Sequence, residues 1–307
     1  MEGHMTIPDH SLEVRRSIRV GAIFPQTEIG ADPHEIVRYA TQIEDMGFRH
    51  VLAFDHVVGG SVAAYPHLGK RYNSESMFHE VFVLFGYLAA VTKDLELASG
   101  VIILPQRQAT LVAKQAAEID VLSGGRLRLG VGIGWNEIEF QALGENFRNR
   151  ARRMEEQIAL LRRLWGERVI DFDGQYHTVK QAGIHPLPLR RAIPLWIGGT
   201  AEPAVRRAVR LGDGYMATTP MSPALDAILG WLQDELVRND RSLADFGLEG
   251  RISLASGDEE AWKREFAYWQ EVGASHLSFN TMGAGALGTD EHLRLLERAL
   301  RATEMLQ

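Results

Sequence analysis

The sequence contains no cysteine among its 307 residues, so disulfide bonds and thiolate metal sites are excluded. It also lacks a long apolar run, because no stretch approaches the roughly 20 residues that a membrane-spanning helix needs. Basic residues are not in excess: 33 lysines and arginines face 40 aspartates and glutamates, which gives a net charge of −7. An acidic chain without a block of like charge is not expected to bind nucleic acid or an anionic membrane surface.

Several common catalytic motifs are missing as well. No GxGxxG follows the first predicted strand, no GK[ST] completes a phosphate-binding loop, and no GxSxG turn presents a serine nucleophile. Neither HxH nor HExxH spacing is present, so Asp55, His56 and His79 are not expected to hold a metal ion. These absences argue against a dinucleotide-binding open sheet, a P-loop enzyme, a serine hydrolase and a zinc enzyme.

The start of the chain has no apolar signal segment. We expect residues 1–17 to be an N-terminal extension, with the opening MEGHM derived in part from cloning, and residues 18–307 to form one domain. Since neither a signal segment nor a membrane segment is found, a cytoplasmic location is expected.

Residues 95–137 carry the clearest structural pattern. Residues 95–104 and 127–131 each predict a strand that is buried on both faces. Between them, apolar positions recur on one helical stripe, made of Leu111, Val112, Gln115, Ala116, Ile119 and Leu122. A strand–helix–strand unit of this kind implies parallel strands. Gly130, Gly132 and Gly134 fall where the second strand ends, and glycine there allows either close approach of a ligand or tight helix–sheet packing.

The same alternation recurs from residue 19 to residue 302 and gives eight strand–helix repeats. Eight is the number that closes a (β/α)8 barrel, so the predicted fold is an α/β TIM barrel. The rhythm is interrupted at about residues 140–190 by a basic helix over residues 150–165 and a hairpin over residues 169–177. We interpret this segment as an insertion between strands four and five, with Asp173 and Gly174 as the hairpin turn.

Active sites of such barrels lie at the C-terminal ends of the strands. The residues predicted there are Asp55, His56, Gly100, Val101, Gly132, Gly134, Trp135, Asn136, Gly198, Gly199, Thr200, Thr218, Thr219, Asn280 and Thr281. His56 is the best candidate for a general acid or base, because imidazole titrates near neutral pH, and a packing role is the alternative. Asp55 points the opposite way on an extended segment, so it is a candidate for orienting a neighbour or the loop.

Gly198, Gly199 and Thr200 precede a predicted helix whose first amides lack partners. This arrangement favours a phosphate, and the alternative is a simple glycine turn with Thr200 as the N-cap. A glycine-rich, apolar mouth with one phosphate-type site and few ionisable groups suits a flat organic cofactor that carries the chemistry itself.

Three segments carry a family resemblance, and they read ATLVAKQAAEIDVLSGGRLRLGVGIGWNEIEFQALG, IPLWIGGTAEPAVRRAVRLGDGYMATT and HLSFNTMGAG. They closely resemble the luciferase-like monooxygenase superfamily, and within it the actinobacterial branch of coenzyme F420-dependent oxidoreductases. The resemblance runs from about residue 19 to the C-terminus. It implies a TIM barrel with a long insertion and a deazaflavin or flavin bound at the C-terminal mouth.

The resemblance also implies roles for individual residues. His56 matches the histidine that faces the reactive centre of the ring, and Asp55 is its strand-two partner. Gly100 and Val101 match the position of a non-prolyl cis peptide against which the ring packs in the family. The phosphate-binding residues are matched by Gly198, Gly199 and Thr200.

After the fourth strand, the resemblance places Trp135 and Asn136 in the segment that lines the cofactor channel. Some deazaflavin dehydrogenases of the superfamily have a glutamate acid near this segment. Here Glu137 and Glu139 are predicted to lie on a helix, which disfavours a proton-donor role for either. For the acidic tail of F420, a basic patch is needed at the rim, and its candidates are Arg107, Arg148, Arg150, Arg152 and Arg153.

The sequence therefore predicts an oxidoreductase that transfers a hydride between coenzyme F420 and a small organic substrate. One alternative is an FMN-dependent monooxygenase that uses O2 with a partner reductase. The other is a non-catalytic protein that binds a flavin or deazaflavin. Members of the family often form dimers, which leaves a homodimer open for this chain.

Overall fold

The computed structural model describes residues 18–68 and 72–305. The predicted extension 1–17 lies outside these residues, as do residues 69–71 of the loop that follows the second strand. The strands are β1 (Arg19–Ile23), β2 (His50–Ala53), β3 (Glu96–Ser99), β4 (Ile102–Ile103), β5 (Leu127–Gly132), β6 (Ile170–Asp173), β7 (Thr178–Ala182), β8 (Leu195–Gly198), β9 (Gly214–Met216), β10 (Gly247–Ser253) and β11 (His276–Asn280). The helices are α1 (Pro33–Asp45), α2 (Val81–Val91), α3 (Ala109–Leu122), α4 (Glu137–Ala142), α5 (Arg150–Gly166), α6 (Glu202–Leu211), α7 (Pro223–Arg238), α8 (Glu259–Glu271) and α9 (Thr289–Ala302).

Parallel strands close into a barrel. Starting from β1, the pairing runs through β2, β3, β5, β8, β9, β10 and β11 and returns to β1. Both β3 and β4 pair with β5, so they are two segments of one barrel position and the barrel has eight positions. The predicted (β/α)8 TIM barrel is confirmed.

The segment between β5 and β8 carries α4, α5 and an antiparallel hairpin of β6 and β7. The predicted two-residue turn of this hairpin is wrong, because Asp173 pairs with Thr178 and residues 174–177 form the loop. Glu156 of α5 explains the longer loop, since its carboxylate accepts hydrogen bonds from the amides of Gln175 and Tyr176. A tertiary contact therefore overrides the local preference of an Asp–Gly pair for a tight turn.

The main core lies between the barrel and its helices. In α3 the predicted stripe is partly wrong: Leu111 and Leu122 are 52% and 66% exposed, whereas Ala113 and Ala117 are buried. The small side chains of Ala113 and Ala117 face the neighbouring elements, because α3 packs against α2, α5 and β5 and these elements must come close to it. Within the described residues, no helix is long and apolar enough to cross a lipid bilayer.

The barrel interior has two layers. An apolar layer lies below the C-terminal mouth and consists of Ile23, Leu52, Ala98, Trp196 and Met216. An ionic layer lies one step nearer the N-terminal ends of the strands. There Arg128 forms ion pairs of 2.5 Å with both Glu96 and Glu249, and His50 Nε2 lies 3.0 Å from Glu249. Buried charges of this kind persist because each is paired.

Candidate active site

A cavity of about 410 Å³ opens at the C-terminal ends of the barrel strands, which is a size typical of small-molecule sites. Its walls include Asp55, His56, Gly100, Val101, Gly132, Gly134, Trp135, Gly198, Gly199, Thr200 and Thr218, all of them predicted site residues. The other lining residues are Phe54, Phe78, Ile103, Ile133, Ala201 and Ala204. Eleven of the fifteen strand-end residues selected from the sequence thus share one cavity, and mostly apolar side chains complete it, whereas Asn136, Thr219, Asn280 and Thr281 do not line it.

Val101 interrupts the third barrel position between β3 and β4. Its φ is 102°, which is an outlier for a β-branched residue. Glycines on the next two strands make room for its side chain: a Cβ on Gly132 would lie 3.2 Å from Val101 Cγ2, and one on Gly198 would lie 2.8 Å from Cγ1. The peptide between Gly100 and Val101 is expected to be cis or strongly distorted; the cis form is wrong, because this bond is trans. Backbone distortion at the expected place is present instead as the positive φ of Val101.

His56 lies at the edge of the cavity, with its side chain 16% exposed. Its ring stacks on Tyr72 at a centroid distance of 3.8 Å and meets the ring of Phe78 edge-on at 4.8 Å. Trp135 approaches edge-on at 6.3 Å. Because aromatic rings surround the plane of the imidazole, its two nitrogens are the atoms left for polar contacts.

Glu139 of α4 lies next to His56 and is itself buried. Its carboxylate is 3.4 Å from His56 Nδ1 and accepts hydrogen bonds from the amides of Val57 at 2.9 Å and Val58 at 3.4 Å. Burial alone would raise the pKa of Glu139. The hydrogen bonds from His56 and from the two amides lower it by more than burial raises it, so the net shift of the pKa is downward. The carboxylate is therefore ionised at neutral pH. In the described part of the chain, His56 Nε2 has no hydrogen-bond partner, which leaves it available to a ligand in the cavity.

Asp55 points away from His56, as expected for adjacent residues on an extended segment. Its carboxylate forms a 2.7 Å ion pair with Arg107 and accepts a hydrogen bond of 3.1 Å from the amide of Ile103. Arg107 also pairs with Glu80 at 2.9 Å. Burial disfavours the charge of Arg107, but Asp55 and Glu80 outweigh this and raise its pKa. Asp55 therefore connects strand two to strand three, and Arg107 is not free to bind the cofactor tail for which it was a candidate.

The N-terminus of α6 opens on the cavity without a side-chain cap. Its N-cap residue is Ala201, so the alternative in which Thr200 caps the helix is wrong. Over residues 18–68 and 72–305, no acceptor is found for the amides of Thr200, Ala201 or Glu202. Gly199 has a φ of 144°, and a Cβ there would lie 2.7 Å from that of Ala204. Free amides at a helix N-terminus favour an anion.

Asn136 was predicted for the site and lies outside the cavity, whereas Glu139 was not predicted for the site and contacts His56. Asn136 does not line the cavity, because it is the buried N-cap of α4 and accepts a hydrogen bond from the amide of Ile138. The sequence predicts a helical position for Glu139, which disfavours a proton-donor role. That position is correct, but the contact with His56 joins residues 83 apart in the chain, and no local signal reports it. Among the described residues, no group of three His, Asp or Glu side chains is arranged to hold a metal ion.

Fold and site together define a TIM-barrel protein with a cofactor-sized cavity at its C-terminal mouth. The chain belongs to the luciferase-like monooxygenase family, whose sequence profile matches residues 16–306. The family resemblance inferred from the sequence is thereby confirmed. An F420-dependent glucose-6-phosphate dehydrogenase from Beutenbergia cavernae is 30% identical over 239 residues, which is 75% of this chain and 66% of that protein.

The chain spans about half the length of mycobacterial relatives that it matches at 36% identity, since the match covers 49% of this chain and 52% of theirs. Two solved structures have the same fold. One is an F420-dependent secondary alcohol dehydrogenase in complex with an F420–acetone adduct, with a TM-score of 0.74, 16% identity, and coverage of 93% of this chain and 99% of the other. The second is a monooxygenase from Streptomyces bottropensis, with a TM-score of 0.73, 19% identity, and coverage of 94% and 99%. At these identities the likeness concerns the fold alone.

Proposed function

We propose that this chain is an oxidoreductase that transfers a hydride between coenzyme F420 and a small organic substrate. The observation that carries the proposal is that His56 Nε2 and the uncapped N-terminus of α6 share one apolar cavity. The F420-dependent relative from Beutenbergia cavernae supports the choice of cofactor.

The residues present fit a tricyclic ring that carries a phosphate on its side chain. Gly199 lacks the Cβ that would fill the approach to α6, and the free amides of Thr200, Ala201 and Glu202 suit the phosphate. Val101, held between the glycines of two strands, provides an apolar surface for the ring. When bound, F420 supplies a hydride donor or acceptor at C5 of its ring.

The chain itself contributes binding, orientation and a proton site. His56 Nε2 is placed to take a proton from the substrate or to return one, while Glu139 fixes the imidazole through Nδ1. Asp55 holds the end of strand two through Arg107 and the Ile103 amide, and its role is positioning. The apolar cavity walls exclude water from the reacting atoms.

FMN offers a similar ring and the same phosphate, so the FMN-dependent monooxygenase is the second candidate. The monooxygenase from Streptomyces bottropensis has the same fold, which keeps this candidate open. Fluorescence titration of the purified protein with each cofactor separates them. Tighter binding of F420 supports the proposal, and tighter binding of FMN contradicts it. Binding of F420 without turnover of any alcohol or enone would favour the non-catalytic alternative.

A homodimer is a further part of the proposal. The neighbouring helices α2 and α3 expose the apolar side chains of Val83, Tyr87, Leu111 and Leu122. Burial of such a surface against a second copy is favourable. Light scattering of the purified chain measures its mass in solution, and a monomer at all concentrations would contradict the dimer.

A further inference from the structure

Arg251 of β10 lies inside the barrel and points toward the mouth. It is two residues after Glu249, so both side chains project from the same face of the strand, and Arg251 is the one nearer the C-terminal end. Its register partner is Ser278, whose hydroxyl faces the interior and bonds Glu249. The guanidinium stacks over the ring of Phe54, 4.7 Å from its centroid. Since Phe54 lines the cavity, Arg251 lies next to the cavity across that ring.

The charge of Arg251 is not neutralised by a contact within the described chain, where the guanidinium has neither an ion pair nor a hydrogen bond. Glu249 is already occupied, because it accepts from Arg128 at 2.5 Å, from Ser278 at 2.6 Å and contacts His50 at 3.0 Å. In contrast, Arg128 in the layer below has two carboxylate partners. Burial lowers the pKa of Arg251 to about 10, so it remains charged at neutral pH.

Arg251 is partly exposed and covers a ring that lines the cavity, so we expect a molecule in the mouth to reach it. A guanidinium offers a planar fork of donors that matches the oxygens of a carboxylate or a phosphate. The rest of the mouth is mostly apolar, and the anion site at α6 is on another side of the barrel, after strand five, whereas Arg251 is on strand seven. The cofactor phosphate and an anion at Arg251 would therefore be bound by different groups of the protein.

We propose that Arg251 binds an oxyanion on the substrate, so that the substrate is a carboxylate or a phosphate ester with an oxidisable or reducible carbon. That the bound anion is a substrate rests on the proposed function, but the binding of an anion at Arg251 is testable without turnover. It also predicts that Arg251 does not stabilise the barrel, because an unpaired, partly buried cation opposes folding.

The test compares matched pairs of small molecules that differ in one anionic group. Calorimetry measures binding of glycerol 3-phosphate against glycerol, and of lactate against 2-propanol, with and without F420. The proteins are wild type, Arg251→Gln, Arg251→Lys, and Arg294→Gln as a control on α9. Melting temperatures and F420 affinity are measured for each. Arg128→Gln serves as the structural comparison for the melting temperature.

In the wild type, the anionic member of at least one pair should bind at least about tenfold tighter than the neutral member. Arg251→Gln should lose this preference while Arg251→Lys and the control keep it. The F420 affinity of Arg251→Gln should match wild type and its melting temperature should be equal to or above that of wild type, whereas Arg128→Gln should melt much lower. The phosphate pair and the lactate pair show which oxyanion is preferred.

Three results would overturn the inference. The first is equal binding of both members of both pairs by the wild type, and the second is an unchanged preference in Arg251→Gln. The third is a loss of F420 affinity in Arg251→Gln, which would mean that Arg251 contacts the cofactor. If the wild type binds no F420 but shows the Arg251-dependent preference, the proposed function fails and the anion site stands.

Discussion

The carboxylate of Glu139 lies 3.4 Å from Nδ1 of His56. It also accepts the amide hydrogens of Val57 and Val58, so one buried side chain holds both the imidazole and the loop that begins after it. An ionised acceptor at Nδ1 favours the proton on that nitrogen and leaves Nε2 to face the cavity. The pair therefore determines which nitrogen of His56 is available for proton transfer.

His56→Ala should lower turnover by roughly 10²–10⁴ if the imidazole acts as general acid or base. F420 affinity should be nearly preserved, because the residues proposed to bind the phosphate and the ring are mainly others. Steady-state kinetics and a fluorescence titration of the same preparation measure both quantities. Full activity in this variant would make His56 a packing residue among Tyr72, Phe78 and Trp135.

Glu139→Gln should lower kcat by about tenfold or more while KM changes little, because a neutral amide orients the imidazole less well than a carboxylate. The amide oxygen of glutamine still accepts from Val57 and Val58, so the melting temperature should stay near that of wild type. Nitrogen NMR of the imidazole provides a second measurement, since the tautomer of His56 should become mixed. A variant with wild-type kcat and an unchanged tautomer would show that Glu139 only supports the loop.

Ala201→Asp should weaken F420 binding by about tenfold or more, because it places a carboxylate at the amides proposed for the phosphate. Aspartate is a favourable N-cap, so the melting temperature should not fall below that of wild type. Ala201→Asn is the matched control: it caps without charge and should weaken binding less. Gly199 is a poorer position for this test, because its φ of 144° and its contact with Ala204 make any side chain there disruptive. Equal F420 affinity in all three proteins would place the phosphate elsewhere.

Much of the fold was predictable because its signals are local. Apolar runs and helix-ending glycines repeat along the chain, and eight repeats imply closure. The same logic selected His56 and Gly199, since strand ends meet at one mouth. The contact of Glu139 with His56 was not predictable, because it depends on how the barrel closes. The backbone of Val101 was not predictable either, since the room for its side chain comes from glycines on two other strands.

Acidification below pH 6.5 should destabilise the protein through His276. Burial, with Arg128 and His50 nearby, lowers the pKa of His276 to about 3, whereas an unfolded histidine titrates near 6.5. Stability is therefore complete above pH 6.5 and falls toward pH 3, at no more than roughly 1.4 kcal/mol per pH unit for one group.

The melting temperature of His276→Gln should consequently decline less than that of wild type between pH 6.5 and 5. Burial also lowers the pKa of His292, which adds to the same slope. The melting temperature of the double variant His276→Gln with His292→Gln should therefore change still less with pH. His34→Gln, at an exposed position, should behave as wild type. Against the effect of burial, Arg128 lowers the pKa of Glu96 to about 2, so the stability that Glu96 contributes is lost only below about pH 4.5 and does not affect the range from pH 6.5 to 5. Parallel melting curves for wild type and His276→Gln would contradict the assignment.

The discrimination of F420 from FMN should depend on Arg148 and Arg152. F420 differs from FMN in its long acidic tail, and a chain of net charge −7 attracts it only through a local basic patch. Of the arginines predicted for this patch, Arg107 pairs with Asp55 and Glu80, Arg153 pairs with Glu145, and Arg150 stacks on Phe147.

Arg148 and Arg152 are exposed, and no ion pair engages them in the described part of the chain. Arg152 lies in the first turn of α5 and Arg148 in the 3-10 turn just before it. An ion pair of 2.7 Å between Glu155 and Arg207 joins α5 to α6. Since α6 begins at the proposed phosphate site, the tail would pass close to both arginines.

Reversing both charges, as Arg148→Glu with Arg152→Glu, should lower F420 affinity by about tenfold at low salt and leave FMN affinity nearly unchanged. The difference should shrink at 0.1 M salt and above, where exposed charges more than about 10 Å apart are screened. Arg294→Glu with Arg301→Glu, on α9 across the barrel, is the matched control for net charge. Titration of wild type and both double variants with each cofactor, at low and moderate salt, measures the affinities for F420 and FMN. If the α5 variant weakens FMN as much as F420, or no more than the α9 control weakens F420, then the tail does not pass along α5.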